Sequence, residues 1–281
     1  MDDEQLFVTS KIFIIESLFF LSVYHELSKL CLKCKKNSNI LFLNRKSCYD
    51  EYGGRMTKQN KWIRSIVAFF IFWGSFSFKW IPIVLLRLNA KNISGTMSVI
   101  LSTFSSVLLM FIYFFIYRKD LKEDFKKLKK NTFEKLDIGF KYWILGIIIM
   151  LISNYIILFL FKSGGANNEI GVQKMVKAFP FLMLIDAGLI SPFNEEIAFR
   201  KTFKDIIKNK WVFAFISFLL FGGAHVILGA TVWTDYLYIV PYGALGACFA
   251  LSYYETDSIF IPMFSHMMHN TILMIISIIA L

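Results

Sequence analysis

Residues 211–228 read WVFAFISFLLFGGAHVIL. His225 is the one ionisable side chain in this run. A stretch of about 20 apolar residues is what the hydrocarbon core of a bilayer requires. There the backbone must satisfy its own hydrogen bonds, so the run is read as a helix. Working outward, comparable spans are predicted at 62–85, 97–117, 143–161 and 179–199 upstream, and at 236–253 and 259–281 downstream. Trp62, Trp80, Trp143 and Trp211 stand at run ends, where interfacial aromatic belts belong. The ten-residue alternation of a membrane β-barrel is absent. The expected fold is all-α: a polytopic membrane helix bundle of about seven transmembrane helices. An ambiguous N-terminal helix over 1–24 is added, in which Lys11 and Glu16 interrupt an apolar stretch.

The whole chain agrees with this medium: 56% of its residues are hydrophobic, against about 45–50% in an ordinary soluble domain. The net charge of +11 could suggest nucleic acid, but Lys and Arg cluster between apolar runs. Basic loops facing anionic lipid headgroups explain the charge better, so no nucleic-acid partner is expected. The segments 118–141 and 201–210 are the densest in lysine and are placed in the cytoplasm by the positive-inside rule. Seven spans then alternate, leaving the loop 162–177 and the C-terminus outside. The expected organisation is an amphipathic, basic extension over 1–61, N-terminal transmembrane helices over 62–177, and a C-terminal helical core over 178–281. Gly53-Gly54 reads as a turn within the extension. Cys31 and Cys34 have metal-ligand spacing, with His25 and Cys48 nearby. A second CxxC pair is missing, so reduced thiols are expected rather than a zinc knuckle. No disulfide framework and no cleavable signal peptide are evident.

Ionisable side chains inside a span cost at least ~2.5–3.5 kcal/mol at the bilayer centre, so they face a protein interior or a wet cavity. The fourth span ends in SPFNEEIAFR over 191–200. Pro192 removes a backbone donor and bends the helix. Adjacent helical residues point about 100° apart, so Glu195 and Glu196 look in different directions. Glu196 and Arg200 share a face and are expected to pair. Glu195 is then left to look into the bundle as a usable base. Glycines before His225 let a neighbouring helix approach. His266 and Asn270 share a face of the last span, with His269 beside or behind them. Asp186 is expected to hydrogen-bond a neighbouring span, and Ser265 to point elsewhere. One interior cavity would accommodate Glu195, His225, His266 and Asn270 together.

Such a set supports two chemistries. A carboxylate and an imidazole can activate a water for attack on a peptide carbonyl, with further donors for the developing oxyanion. Equally, Glu195, His225 and His266 have the donor types of a zinc site with one open position. HExxH is absent, and no serine–histidine arrangement stands out. A non-catalytic immunity or scaffold protein, or a transporter with an ion path through the same residues, would also need polar groups in the bilayer. The paired, broken spans of a two-repeat transporter are not seen.

Three motifs occur in order on successive spans: Glu195-Glu196 with Arg200, Phe221 with His225, and His266 with Asn270. In this the chain resembles the CAAX-processing and bacteriocin-processing intramembrane proteases, over roughly residues 178–281. Gly243, Gly246 and the stretch 255–259 before Pro262 resemble the same family. The resemblance implies Glu195 as the base that activates water, with His225 beside it. It implies His266 and Asn270 on the oxyanion side, and Glu196, Arg200 and Phe221 in support. It further implies either zinc held by Glu195, His225 and His266, or no cofactor if a glutamate mechanism operates. A peptide or membrane-protein substrate, a multi-pass place in the cell membrane, and a role in bacteriocin processing or self-immunity follow as expectations. The Lys-, Ile-, Phe- and Asn-rich composition looks bacterial, which argues against a prenylated substrate.

Overall fold

The structure, a computed structural model, describes residues 58–161 and 165–281. The ambiguous helix 1–24, the Cys31–Cys34–Cys48 cluster with His25, and the Gly53-Gly54 turn lie outside the described residues. The chain divides into two units at Phe70. The described part of the first is helical, the opening of α1 (Lys58–Gly74). In the second, α1 ends and is followed by α2 (Trp80–Leu85), α3 (Gly95–Leu128), α4 (Thr132–Phe161) and α5 (Asn167–Ala178). A continuous helical run over 180–204 is α6. Then come α7 (Lys210–Val226), α8 (Ile239–Thr256) and α9 (Phe260–Ile279). Every regular element among the described residues is a helix, and the chain is an all-α membrane helix bundle. Among the described residues, four segments are long and apolar enough to cross a bilayer: α3, α4, α8 with its leading 3₁₀ turn, and α9. α7 is apolar but shorter.

Several expected boundaries move, each for a local reason. The span expected over 62–85 is broken: α1 stops at Gly74 and a 3₁₀ turn, Ser75–Ser77, precedes α2. The Ser75 hydroxyl takes the Phe72 carbonyl (2.6 Å), a side-chain bond that competes with helix continuation. The lysine-rich segment 118–141, expected as a loop, is mostly helix. Lysine and glutamate are good helix formers, so α3 runs on to Leu128 and α4 begins at Thr132. The reversal between them is confined to Lys129–Asn131, with Asn131 at φ 57°. The loop expected over 162–177 contains α5. α5 stops at Ala178 because Phe179 precedes Pro180 and is held extended (φ −157°, ψ 80°). Lys201, expected in a basic loop, is still in α6 and is buried.

Two features hold the bundle. α7 and α8 cross at glycines: a Cβ on Gly222 would lie 2.6 Å from the Ile239 carbonyl oxygen, and one on Gly246 3.0 Å from that of Ser217. The helices therefore meet backbone to backbone, as the glycines before His225 suggested. At the basic end, Asp124 of α3 collects Lys201 Nζ (2.9 Å), the Tyr253 hydroxyl (3.2 Å) and the Ile259 amide (3.3 Å). Tyr142 of α4 donates to Glu255 (2.6 Å), which also pairs with Lys210. The end of α3, the start of α4, the end of α6, the start of α7 and the α8–α9 corner are tied together at this one end.

Candidate active site

The site is built on α6, whose run over 180–204 is not a uniform α-helix. Two π segments, Asp186–Ile190 and Ile197–Lys201, flank the α-helical Ser191–Glu196. Single π turns insert one extra residue and often mark functional sites. Here a cause is visible in the sequence: Pro192 has no N–H to donate. The Ser191 amide reaches back to the Asp186 carbonyl, a five-residue bond. Asn270 Nδ2 donates to the Ala187 carbonyl (3.0 Å), and the Thr271 hydroxyl reaches the Gly188 carbonyl (3.4 Å). The bend expected at Pro192 is thus a widened turn held by side chains of α9.

Glu195 and Glu196 diverge as anticipated. Glu196 and Arg200 are both fully buried, with Arg200 Nη1 3.0 Å from Glu196 Oε1. The Arg200 guanidinium also reaches the Gly246 carbonyl (3.3 Å) and lies 4.4 Å from the centre of the Phe221 ring. On its other side Glu196 Oε1 receives His266 Nδ1 at 2.8 Å. Glu195 instead lines a cavity of about 850 Å³. Its Oε2 is buried, has no hydrogen-bond partner among the described residues, and faces His225 Nε2 at 3.9 Å and His266 Nε2 at 3.8 Å.

The tautomers follow from the partners. His225 Nδ1 stands 2.8 Å from the Phe221 carbonyl, an acceptor only, so Nδ1 carries the proton. A neutral His225 therefore turns the lone pair of Nε2 toward Glu195. The same logic applies to His266, whose Nδ1–H points at the Glu196 carboxylate. Aromatic rings fix both imidazoles. Phe221 (4.4 Å) and Tyr242 (4.7 Å) flank His225; Phe249 (5.1 Å) and Phe221 (5.4 Å) flank His266.

Glu195, His225, His266 and Asn270 all line the one cavity, as does the buried His269. Asp186 lines it too, held by the Thr103 hydroxyl (3.0 Å) across to α3, the neighbouring-span bond expected of it. Ser265 lies against Gly139 of α4 instead. Sequence reasoning missed Tyr242, Phe249 and Thr271, which look like ordinary span residues. It also missed Asn194, whose amide donates to the Ser106 carbonyl (2.9 Å) and ties α6 to α3. Asn194 sits next to the carboxylate pair, and its amide in an apolar run was the available signal.

The donor types of Glu195, His225 and His266 fit zinc. Zinc bonds of about 2.0–2.1 Å would draw these atoms closer than they stand. Among the described residues no group of three or more His, Cys, Asp or Glu is already gathered as a metal cage.

A carboxylate and two imidazoles facing one cavity inside a helical bundle are a donor set that hydrolysis of a carbonyl group can use. Comparison with known proteins narrows the reading. Residues 177–272 match the family model described as "Type II CAAX prenyl endopeptidase Rce1-like". The chain is also 29% identical to the "Putative membrane peptidase YdiL" of Bacillus subtilis (strain 168) over 195 residues, covering 66% of this chain and 73% of that protein. No solved structure matches. Over residues 177–272 the chain is thus similar to the CAAX-processing intramembrane protease family. Both likenesses support a membrane protease.

Proposed function

We propose that Glu195 is the general base of a peptidase that hydrolyses a peptide bond within the membrane, with His225 and His266 as its partners. One observation carries this reading: the unpartnered, buried Glu195 Oε2 facing two imidazole nitrogens across the cavity. Gaps of 3.8–3.9 Å are too long for a direct hydrogen bond, and a water on the cavity side of these atoms bridges them after a small outward shift of the side chains. A water there donates one hydrogen bond to Glu195 and one to His225 Nε2. Glu195 takes the water's proton as its oxygen bonds the substrate carbonyl carbon. His266, with Nδ1–H held by the Glu196 carboxylate, would in its doubly protonated form present Nε2–H to the oxyanion. The C–N bond then breaks and the leaving nitrogen takes its proton from Glu195. Zinc, when bound, would be held by Glu195, His225 and His266 and would supply Lewis-acid activation of the water.

The lysine-rich ends of α3 and α4 and the α6–α7 corner lie at one end of the bundle, which supports a cytoplasmic side for both basic segments. A multi-pass topology with this end inside goes with that reading. A membrane peptidase from a bacterium among the similar proteins, with the Lys-, Ile-, Phe- and Asn-rich composition, supports a bacterial setting, for which peptide maturation or self-immunity is the proposed role.

The test uses the purified full chain in detergent, with a metal assay and a quenched-fluorescent peptide library. Turnover by the native chain and its loss in Glu195→Gln and His225→Ala, both with native melting behaviour, is the expected result. Full turnover in Glu195→Gln rejects the assignment.

A further inference from the structure

We propose that Asn270 is a positioning residue: its side-chain amide replaces the backbone N–H that Pro192 lacks, and so sets the rotation of the segment carrying Glu195. The inference rests on Glu195 being the base, and it gives Asn270 a role other than that of an oxyanion donor.

A helical carbonyl is normally served by the amide four residues on, or five residues on in a π turn. For Ala187 these are Ser191 and Pro192. The Ser191 amide is spent on Asp186, and Pro192 has none. Asn270 Nδ2 fills the vacancy at 3.0 Å. For Gly188 the four-residue donor is again Pro192, and the Thr271 hydroxyl stands 3.4 Å from that carbonyl. Asn270 thus serves the one carbonyl that Pro192 leaves without its five-residue donor, and Thr271, the next residue of α9, reaches the carbonyl that follows. Gly188 permits the approach, since a Cβ there would lie 3.1 Å from Thr271 Oγ1 and 3.6 Å from Thr271 Cα. An unserved buried carbonyl is costly, so losing these donors favours a different winding of the turn. Glu195 follows Pro192 by three residues, within the same α-helical segment. Rewinding before Pro192 therefore swings Glu195 Oε2 away from the two imidazole nitrogens. Thr271 is not among the residues that line the cavity, so it reaches the chemistry through the backbone of α6 and not by touching substrate.

A double-mutant cycle on the full chain tests this, because Pro192→Ala restores a backbone donor. Asn270→Ala alone is expected to lower kcat about 100-fold, the scale of an ångström-sized misplacement, with KM little changed. In the Pro192→Ala background the same change is expected to cost at least about tenfold less. An equal fold-loss in both backgrounds overturns the proposal, since a direct oxyanion donor would be lost equally either way. If Pro192→Ala does not accumulate, Thr271 decides. A drop in kcat for Thr271→Val, reversed in Thr271→Ser, supports the proposal; an unchanged kcat in Thr271→Val overturns it. If no background cleaves peptide, the base assignment fails, and melting of the four cycle members still decides. A fall in Tm for Asn270→Ala that shrinks in the Pro192→Ala background supports the role; equal falls overturn it.

Discussion

α6 carries two buried carboxylate–cation systems, and they are finished differently. At its basic end, Lys201 meets Asp124, and the Asp124 Oδ2 atom is shared by an ammonium, a phenol and a backbone amide. One helical turn earlier, Glu196 meets Arg200, yet Glu196 Oε2 and Arg200 Nε have no hydrogen-bond partner. The adjacent Glu195 Oε2 has none either. Buried polar atoms are nearly always paired, so leaving several unpaired in one place is unusual and marks where strain or chemistry resides. The first system closes the bundle. The second leaves valences open beside a cavity.

This contrast can be broken by exchange of readouts. The largest expected effect is on turnover: Glu195→Gln lowers kcat by about 10²–10⁴-fold, the range of a lost general base, while Tm moves little. Lys201→Met should do the reverse. Removing one partner of a buried ion pair costs about 3–5 kcal/mol, read as a lowered Tm or denaturant midpoint, with activity per folded molecule within a few-fold of native. A Lys201→Met protein that melts normally but fails to cleave would erase the distinction. Gly222→Ala sharpens it at the helix crossing. Its Cβ would meet the Ile239 carbonyl oxygen at 2.6 Å, a backbone atom that cannot step aside. About 1–3 kcal/mol of destabilisation is expected, with a shared loss of turnover because α7 carries His225.

The smallest effect concerns pH at the basic end. Burial alone would raise the Asp257 carboxyl. The Lys127 hydrogen bond (2.8 Å) and the charges of Lys127, Lys204 and Lys201 outweigh it and hold the group below the ordinary carboxylate range. With the folded value depressed, the pair's contribution is present above the ordinary carboxylate value. It is lost as pH falls through the depressed one. Asp257 is more than half exposed, so the contribution is under about 1 kcal/mol. Melting curves from pH 7 to pH 3 should show Asp257→Asn with a slightly flatter acid decline than the native chain.

The sequence made the helical class legible, because apolar runs in lipid have one backbone solution. The meeting of Glu195, His225, His266 and Asn270 was also legible, because polar side chains on separate spans must turn away from the acyl chains. The inward burial of Lys201 was not, since a lysine in a basic run looks like its neighbours until Asp124 arrives from 77 residues away. Tyr242 and Phe249 were hidden for a different reason: an aromatic ring in an apolar helix gives no sign of what it stacks on. The π segment Asp186–Ile190 combines a local cause, Pro192, with side-chain donors of α9 that lie 83 residues on, so its winding could not be read from 180–204 alone. α5 escaped because its polar helix sits between two apolar spans and carries no stretch of lipid-facing residues.

The two wide turns of α6 make the stretch between them a cassette whose angular setting is counted in whole residues. Deleting or adding one residue anywhere over 186–201 turns everything beyond it by roughly 100°. Length there is constrained more tightly than identity, whereas the short connection 205–209 beyond α6 can absorb an insertion without disturbing the alignment of Glu195.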